Sequence, residues 1–508
     1  MTFDFSELNE DLKNIANDFI QIGCCKLCTL RFIGETEPIA YTKAFNSLLL
    51  KEPDECETDC KVQKCNPCVA CLGCLQVSLN ADMLDKIIKE IIASDYDSPT
   101  FKVALIYPVS FQLRAHALWL YMTKRFPSHC QTVFTIDLVT ISVKDVWKYV
   151  FAPYIGEKIS KKYDPNSSLN VTITMTYKDD VAEAMPLLNV EEQLFGSRKK
   201  GRRQKEKQDS KDELVFSRKA VELALKNVGV SDFCQHFKTP PPIPTSTALC
   251  ESVCLSQESI YLAGRYNKLS RELPQTPWLI DGERRMEDSV EEIISEPIIL
   301  TTQAKNSKFL SSGREDVDTR TLGRGRPFAI ECIDPHRTCL SNQELQSTML
   351  QINKNGMGKV AIRDLQLVSK SSLELLKKGE NAKTKEYCAL CIVHGPLPAN
   401  LAALNSLAPV TLSQRTPVRV LHRRPVALRP RTIHRMTVQP VPTDNSEFSL
   451  FKLFLETQAG TYVKEFVHGD FGRTKPSVGD LLGNLSVDIL ALDVMNVNLD
   501  WPPTLSSE

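Results

Sequence analysis

Ser311-Ser-Gly-Arg-Glu-Asp-Val-Asp-Thr-Arg-Thr-Leu-Gly-Arg-Gly-Arg-Pro-Phe328 sets carboxylates at 315, 316 and 318 among arginines at 314, 320, 324 and 326. Small residues at both ends mark a loop. A carboxylate among guanidiniums is held ionised, which suits a nucleophile or base aimed at a phosphate-rich substrate, although a surface salt-bridge loop would share this composition. Around this loop, from Ser256 through Asp493-Val-Met-Asn-Val497, strand and helix patterns alternate, predicting a second, larger α/β unit over 256–508.

Upstream, Thr239-Pro-Pro-Pro-Ile-Pro-Thr-Ser-Thr247 can continue neither a helix nor a central strand, so 239–255 reads as a linker and 1–238 as a separate domain. Within that domain Met83, Leu84, Ile87, Ile88, Ile91 and Ile92 form an apolar stripe at helical spacing. Phe101–Pro108 and the alternating Leu169–Tyr177 read as strands, with a helix over Leu113–Tyr121, and mixed α/β follows. Arg198-Lys-Lys-Gly-Arg-Arg-Gln-Lys-Glu-Lys207 reads as a solvated insertion and, more weakly, as a phosphate-binding or nuclear-address segment.

At 508 residues the chain has length for roughly three folding units. Lys plus Arg equal Asp plus Glu at 62 each, and 42% hydrophobic residues fall in the globular range, which excludes a disordered tail or a uniformly basic scaffold. No apolar run reaches 18 residues and the start lacks a basic n-region, so a soluble, intracellular protein is expected, in nucleus and cytoplasm. Seventeen cysteines, an odd number in a long chain, argue for free thiols and a metal over disulfides.

Nine of those cysteines lie in the first 74 residues. Cys25-Lys-Leu-Cys28 and Cys68-Val-Ala-Cys71 are C-x-x-C knuckles whose four thiolates would satisfy a structural, tetrahedral Zn²⁺. Cys65-Asn-Pro-Cys68 and Cys71-Leu-Gly-Cys74 are overlapping alternatives. Toward the C-terminus, Tyr387 to Thr443 contains no Asp or Glu, while Arg415, Arg419, Arg423, Arg424, Arg429, Arg431 and Arg435 accumulate. So one-sided a charge needs an anion, and RNA phosphate fits, with Lys268, Arg271, Arg473 and Lys475 as further candidates.

Gly313-Arg-Glu-Asp and Gly460-Thr-Tyr-Val-Lys464 resemble the catalytic loop and a strand motif of the pseudouridine synthases. Ala263–Trp278, Thr416–Pro425 and Val463–Pro476 resemble the archaeal and eukaryotic tRNA-modifying branch called Pus ten, closely over 256–503. The first half is matched more thinly, by the cysteine knuckles. The resemblance implies a catalytic unit built on a mixed, largely antiparallel sheet and a zinc-stapled, THUMP-containing accessory domain. It implies Asp316 as the catalytic aspartate, acting at ribose C1′ or assisting proton loss at C2′. It further implies Tyr387 stacking on the uracil, Lys464 pairing with Asp316, Val463 as an apolar wall and Leu490 on the pocket floor, with Arg314 and Arg320 beside the substrate.

Breaking an N-glycosidic bond and rejoining the uracil through C5 needs one carboxylate, a stacking pocket and an extruded base, with no organic cofactor. The expected substrate is the tRNA T-loop, at uridines fifty-four and fifty-five, with other structured RNAs as further partners and neither membrane nor obligate protein partner. A zinc-stapled, non-catalytic RNA chaperone or processing cofactor would use the same basic stretch and cysteines, and is the alternative.

Overall fold

The computed structural model describes residues 8–49, 66–133, 141–190, 192–195, 216–376, 384–422, 424–445 and 447–505. The basic run 198–207 lies outside them, as do Cys65 and Arg423. The chain divides into two units, Met1–Ser256 and Gln257–Glu508.

In the first unit β1 (Thr100–Ile106) lies parallel to both β2 (Lys162–Tyr163) and β3 (Leu169–Thr176), and β4 (Leu249–Gln257) completes the order β2-β1-β3-β4. Period-two alternation buries Phe101, Val103 and Leu105 of β1 and Leu169, Val171 and Ile173 of β3. They share one core with Trp147 and Phe151 of the helix Val143–Ile159 and with the cysteine knuckles. The helix Val77–Ala93 buries Met83, Leu84, Ile87 and Ile91 but leaves Ile92 exposed, because the predicted stripe is wider than the face that finds a partner. The segment 239–255 is not a free linker. Arg114 Nη1 donates to Pro242 O at 2.9 Å, Ala248 N–H donates to Leu72 O at 2.8 Å, and β4 begins at Leu249. Prolines lack an N–H yet keep their carbonyls, so outside donors can dock such a run.

The second unit is built on a ten-stranded sheet. Its strands are β5 (Ile260–Lys268), β8 (Ala304–Ser311), β9 (Arg320–Pro335), β10 (Val360–Val368), β11 (Lys385–His394), β12 (Val410–Arg415), β13 (Leu428–Val441), β14 (Phe448–Thr457), β15 (Thr474–Lys475) and β16 (Val487–Val497). β6 (Leu279–Ile280) and β7 (Glu283–Arg284) form a separate hairpin. The order is β10-β5-β9-β16-β11-β14-β13-β12-β15, with β8 on β9. Every pairing is antiparallel except β9 with β16, where only Arg320↔Asp493 and Thr321↔Val494 pair. On one side of this seam the helices Val290–Thr302 and Asn342–Asn355 cover Leu262, Phe328, Ile330 and Val360. On the other, Phe466, Val467 and Val478 cover Ala389, Phe451 and Leu453.

Candidate active site

The loop between β8 and β9 opens at the seam, and its shape starts at Gly313. This residue has φ +92°, where any side chain is strained, and a Cβ there would lie 2.9 Å from Lys385 Nζ and 3.1 Å from Arg326 Nη1 and push on both cations. Glu315 turns inward and is buried. Arg326 Nε lies 2.8 Å from its Oε2, and Tyr266 Oη donates to its Oε1 at 2.8 Å. Gln275 Nε2 in turn donates to Tyr266 Oη at 2.8 Å and to Gly313 O at 3.0 Å. A fully desolvated carboxylate is therefore matched by a cation and a phenol beneath the loop.

Asp316, next in sequence, turns outward with a third of its side chain exposed. Arg419 Nη1 donates to its Oδ2 at 2.9 Å, while Arg419 Nε is 2.6 Å from Oε1 of Glu465, whose side chain is 1% exposed. Lys464 was expected as the partner of Asp316. Its Nζ does come within 3.5 Å of Asp316 Oδ2, but it donates to both oxygens of Asp318 at 2.7 Å. Burial acts to raise the Asp318 carboxyl, and the Lys464 ammonium outweighs it, holding Asp318 below the usual carboxylate range. The Gly460-to-Lys464 motif is also not a strand. The chain turns at Ala459 and Gly460, and Val463–His468 is a helix that buries Val463, Phe466 and Val467. Gln414 braces this turn, accepting from Tyr462 N–H and donating to Tyr462 O, each at 3.0 Å.

Three cations expected at the RNA, Lys268 and Arg271 on phosphate and Arg320 beside the substrate, have partners within the unit. Lys268 is fully buried, and its ammonium donates to Leu273 O, Asp316 O and Val317 O at 2.9, 3.2 and 2.6 Å. Burial pushes its pKa down to about 8, against the pull of Glu315, Asp318 and Asp316. Arg320 grips Asp493 with two bonds of 2.9 and 2.6 Å, and Arg271 adds a third at 2.6 Å while also donating to Asp318 O. Lys268 thus positions the loop, Arg320 clips the seam, and Arg271 does both. Arg314 and Arg424 are exposed.

Tyr387, half-buried on β11 opposite Val494, packs against both the Val463 cluster and the Val494 cluster. Burial pushes its phenol up, Arg326 pulls it down and Glu315 pushes it up, so the ring lies within reach of the pair beneath the loop. Leu490 is not on a pocket floor. It is 56% exposed, the unpaired residue of a β-bulge between Leu390↔Ala491 and Cys391↔Ile489. The extra residue resets the alternation, and Leu492 and Val494 are the ones that face inward.

Beyond the helix Val463–His468 the backbone is left-handed for four residues, Gly469, Asp470, Phe471 and Gly472, at φ +77°, +47°, +56° and +78°. Gly469 N–H caps the helix on Glu465 O at 2.8 Å. Asp470 is buried, and its Oδ2 accepts from Val418 N–H at 3.1 Å, one residue before Arg419. Phe471 at the tip is 96% exposed.

In the first unit, Cys25 caps the helix Lys26–Phe32, Cys28 lies in its first turn, and Cys68 and Cys71 lie in a series of turns. Their four sulfurs lie within 4.8 Å of one another and could hold a metal ion. Cys25 N–H and Ala70 N–H donate to Cys68 Sγ at 3.2 and 3.4 Å, and Arg31 Nη1 to Cys28 Sγ at 3.7 Å. Burial opposes charge on Cys68, and hydrogen bonds from Cys24, Cys25, Cys28 and Cys71 outweigh it, holding this thiol well below its usual range. Cys24 and Cys74, though buried, fall outside the group of four.

Comparison with known proteins places both units. Residues 261–498 match the family described as Pus10, C-terminal, and residues 68–254 match Eukaryotic Pus10, N-terminal. A Xenopus laevis protein named tRNA pseudouridine synthase Pus10 is 35% identical over 98% of this chain and 99% of its own length. One of the same name from Thermofilum pendens is 38% identical over 47% of this chain and 52% of its own. Among solved structures, a chain of a Cbf5-Nop10-Gar1 complex aligns over 46% of this chain and 47% of its own, at 16% identity and a TM-score of 0.24. With relatives of this identity and coverage in hand, the chain belongs to the Pus10 family.

Proposed function

We propose that the chain is a tRNA pseudouridine synthase acting on the T-loop uridines fifty-four and fifty-five. The observation that carries this is Asp316, a part-exposed carboxylate held by Arg419 beside the helix of Lys464, in a chain whose full-length relatives bear that activity in their names. The isomerisation breaks N1–C1′, forms C5–C1′ and moves the C5 hydrogen to N1, so atoms balance without an oxidant or an organic cofactor. Asp316 supplies the charge, either bonding to C1′ or taking the C2′ proton. Val463 and Tyr387 supply the apolar walls against which the extruded uracil turns.

On this reading the first unit is the THUMP-containing accessory domain, and the Cys25, Cys28, Cys68 and Cys71 sulfurs hold a structural zinc. Their number, burial and N–H···S bonds fit a closed thiolate site. The deciding experiment is pseudouridine mapping on an unmodified tRNA transcript. Asp316→Asn should abolish product while tRNA binding persists. Full activity of that variant, or binding by the parent chain without any new pseudouridine, would overturn the reading.

A further inference from the structure

Phe471 stands out because a large aromatic ring is almost wholly in water on a backbone that bulky residues avoid. Asp470 and Phe471 are two successive non-glycine residues at φ +47° and +56°, a conformation in which the Cβ crowds its own backbone. Strain of this kind persists only where the surroundings over-determine it, and here they do. Arg473 N–H donates to Asp470 O at 3.0 Å, Thr474 N–H to Gly469 O at 3.1 Å and Asp470 N–H to His468 Nδ1 at 3.1 Å. The bonds from Val418 and to Glu465 tie the same loop to the arginine and the helix that face Asp316. The ring is therefore presented on a fixed mount that shares its supports with the catalytic carboxylate.

Its surroundings select the chemistry of what it meets. The one acid of the loop, Asp470, is turned inward and buried. Exposed Lys475 lays its stem against Gly472, with Cε 3.7 Å from where a Cβ would be, and exposed Arg415 donates its N–H to Arg473 O at 2.9 Å. Val418 and Leu421, in the acid-free stretch, are exposed as well. A rigid ring flanked by cations and small apolar surface matches a nucleic acid, whose base has a π-face and whose phosphates lie to either side. We propose that Phe471 is a base-stacking residue, taking one nucleobase of the RNA next to the extruded uridine while Arg415 and Lys475 take adjoining phosphates. The proposal deepens the synthase reading and rests on it for the identity of the RNA.

The test compares Phe471→Asn, Phe471→Ala and Phe471→Trp in the full chain with an unmodified tRNA transcript as probe. Asparagine tolerates the left-handed region, so Phe471→Asn should raise the thermal midpoint while weakening tRNA binding and kcat/KM about 10- to 100-fold, the span of one lost base stack. Phe471→Ala should lose the same affinity. Phe471→Trp should keep near-parental activity, and its fluorescence should be quenched on adding tRNA. Parental affinity in Phe471→Asn and Phe471→Ala, an equal loss in Phe471→Trp, or unchanged tryptophan fluorescence would each overturn the proposal. If the parent chain formed no pseudouridine the synthase reading would fail, and the binding and fluorescence measurements would still decide the role of Phe471.

Discussion

Arg419 reaches two carboxylates of opposite surroundings, Glu465 at 2.6 Å in the interior and Asp316 at 2.9 Å at the surface. The buried acid fixes the guanidinium, and the guanidinium then aims the exposed one. Glu465→Gln removes the anchor without leaving an unpaired buried charge. It should lower kcat about 10- to 100-fold with KM little changed, because a misplacement of an ångström at a reacting group has that effect. Arg419→Met leaves Glu465 buried and unpaired and should cost about 2–3 kcal/mol of stability, less than a fully buried pair because Arg419 is part-exposed. Denaturant unfolding alongside steady-state kinetics separates the two; equal stability loss in both variants would refute the division of roles.

Glu315 and Arg326 should show strong coupling. Either Glu315→Gln or Arg326→Met strands a partner in a desolvated site, at about 3–5 kcal/mol, whereas the double variant should recover a good part of that. A double-mutant cycle by urea denaturation reads the coupling, and simple additivity would mean that water reaches the pair.

Lys268 sets opposite signs for stability and activity with pH. Its pKa in the fold is near 8 against 10.5 for the free side chain, so the unfolded chain holds the extra proton between those values. Below pH 8 both states are charged and the burial penalty stands in full; between about 8 and 10.5 it is relieved, by up to about 3 kcal/mol. Relative to Lys268→Met, stability should therefore rise over that window. Activity should fall over it, because the deprotonated amine has two hydrogens for three carbonyls, those of Leu273 and of the loop residues Asp316 and Val317. A pH series of unfolding free energies and of kcat checks both signs.

Cys25→Ser and Cys68→Ser should each lower bound zinc below one per chain and lower the melting temperature of the first unit by several degrees, while the second unit's transition stays put. Elemental analysis with two-transition calorimetry gives the answer, and a full equivalent of zinc in both variants would mean that other thiols serve as ligands.

What could be read from the sequence was what neighbouring residues decide. The loop with Asp316, the knuckles at 25/28 and 68/71, and the alternation of β1 and β3 all depend on spacing within a few residues. The role of Arg419 depends on a partner 103 positions away, so its cation was visible and its use was not. Lys268 and Arg271 looked like phosphate contacts, and Arg320 a substrate neighbour, for the same reason: composition reports charge, and only the fold shows which carbonyls and carboxylates meet it. Leu490 was carried over from the resemblance alone, and a motif match does not reveal that the residue falls on a bulge and faces outward. Phe471 gave a faint signal in Gly469-Asp-Phe-Gly472, where two glycines bracket an aromatic, but its exposure follows from backbone angles that no spacing encodes.

The seam between β9 and β16 carries only two paired positions, fewer ladder bonds than the strands on either side share with their own neighbours. Asp493, gripped by Arg320 and Arg271, acts there as a rivet across a crease. The loop that carries Asp316 thus leads into a sparsely paired line of the sheet, and amide protons near Arg320 and Asp493 should exchange with solvent sooner than those in the interior of β11 or β14.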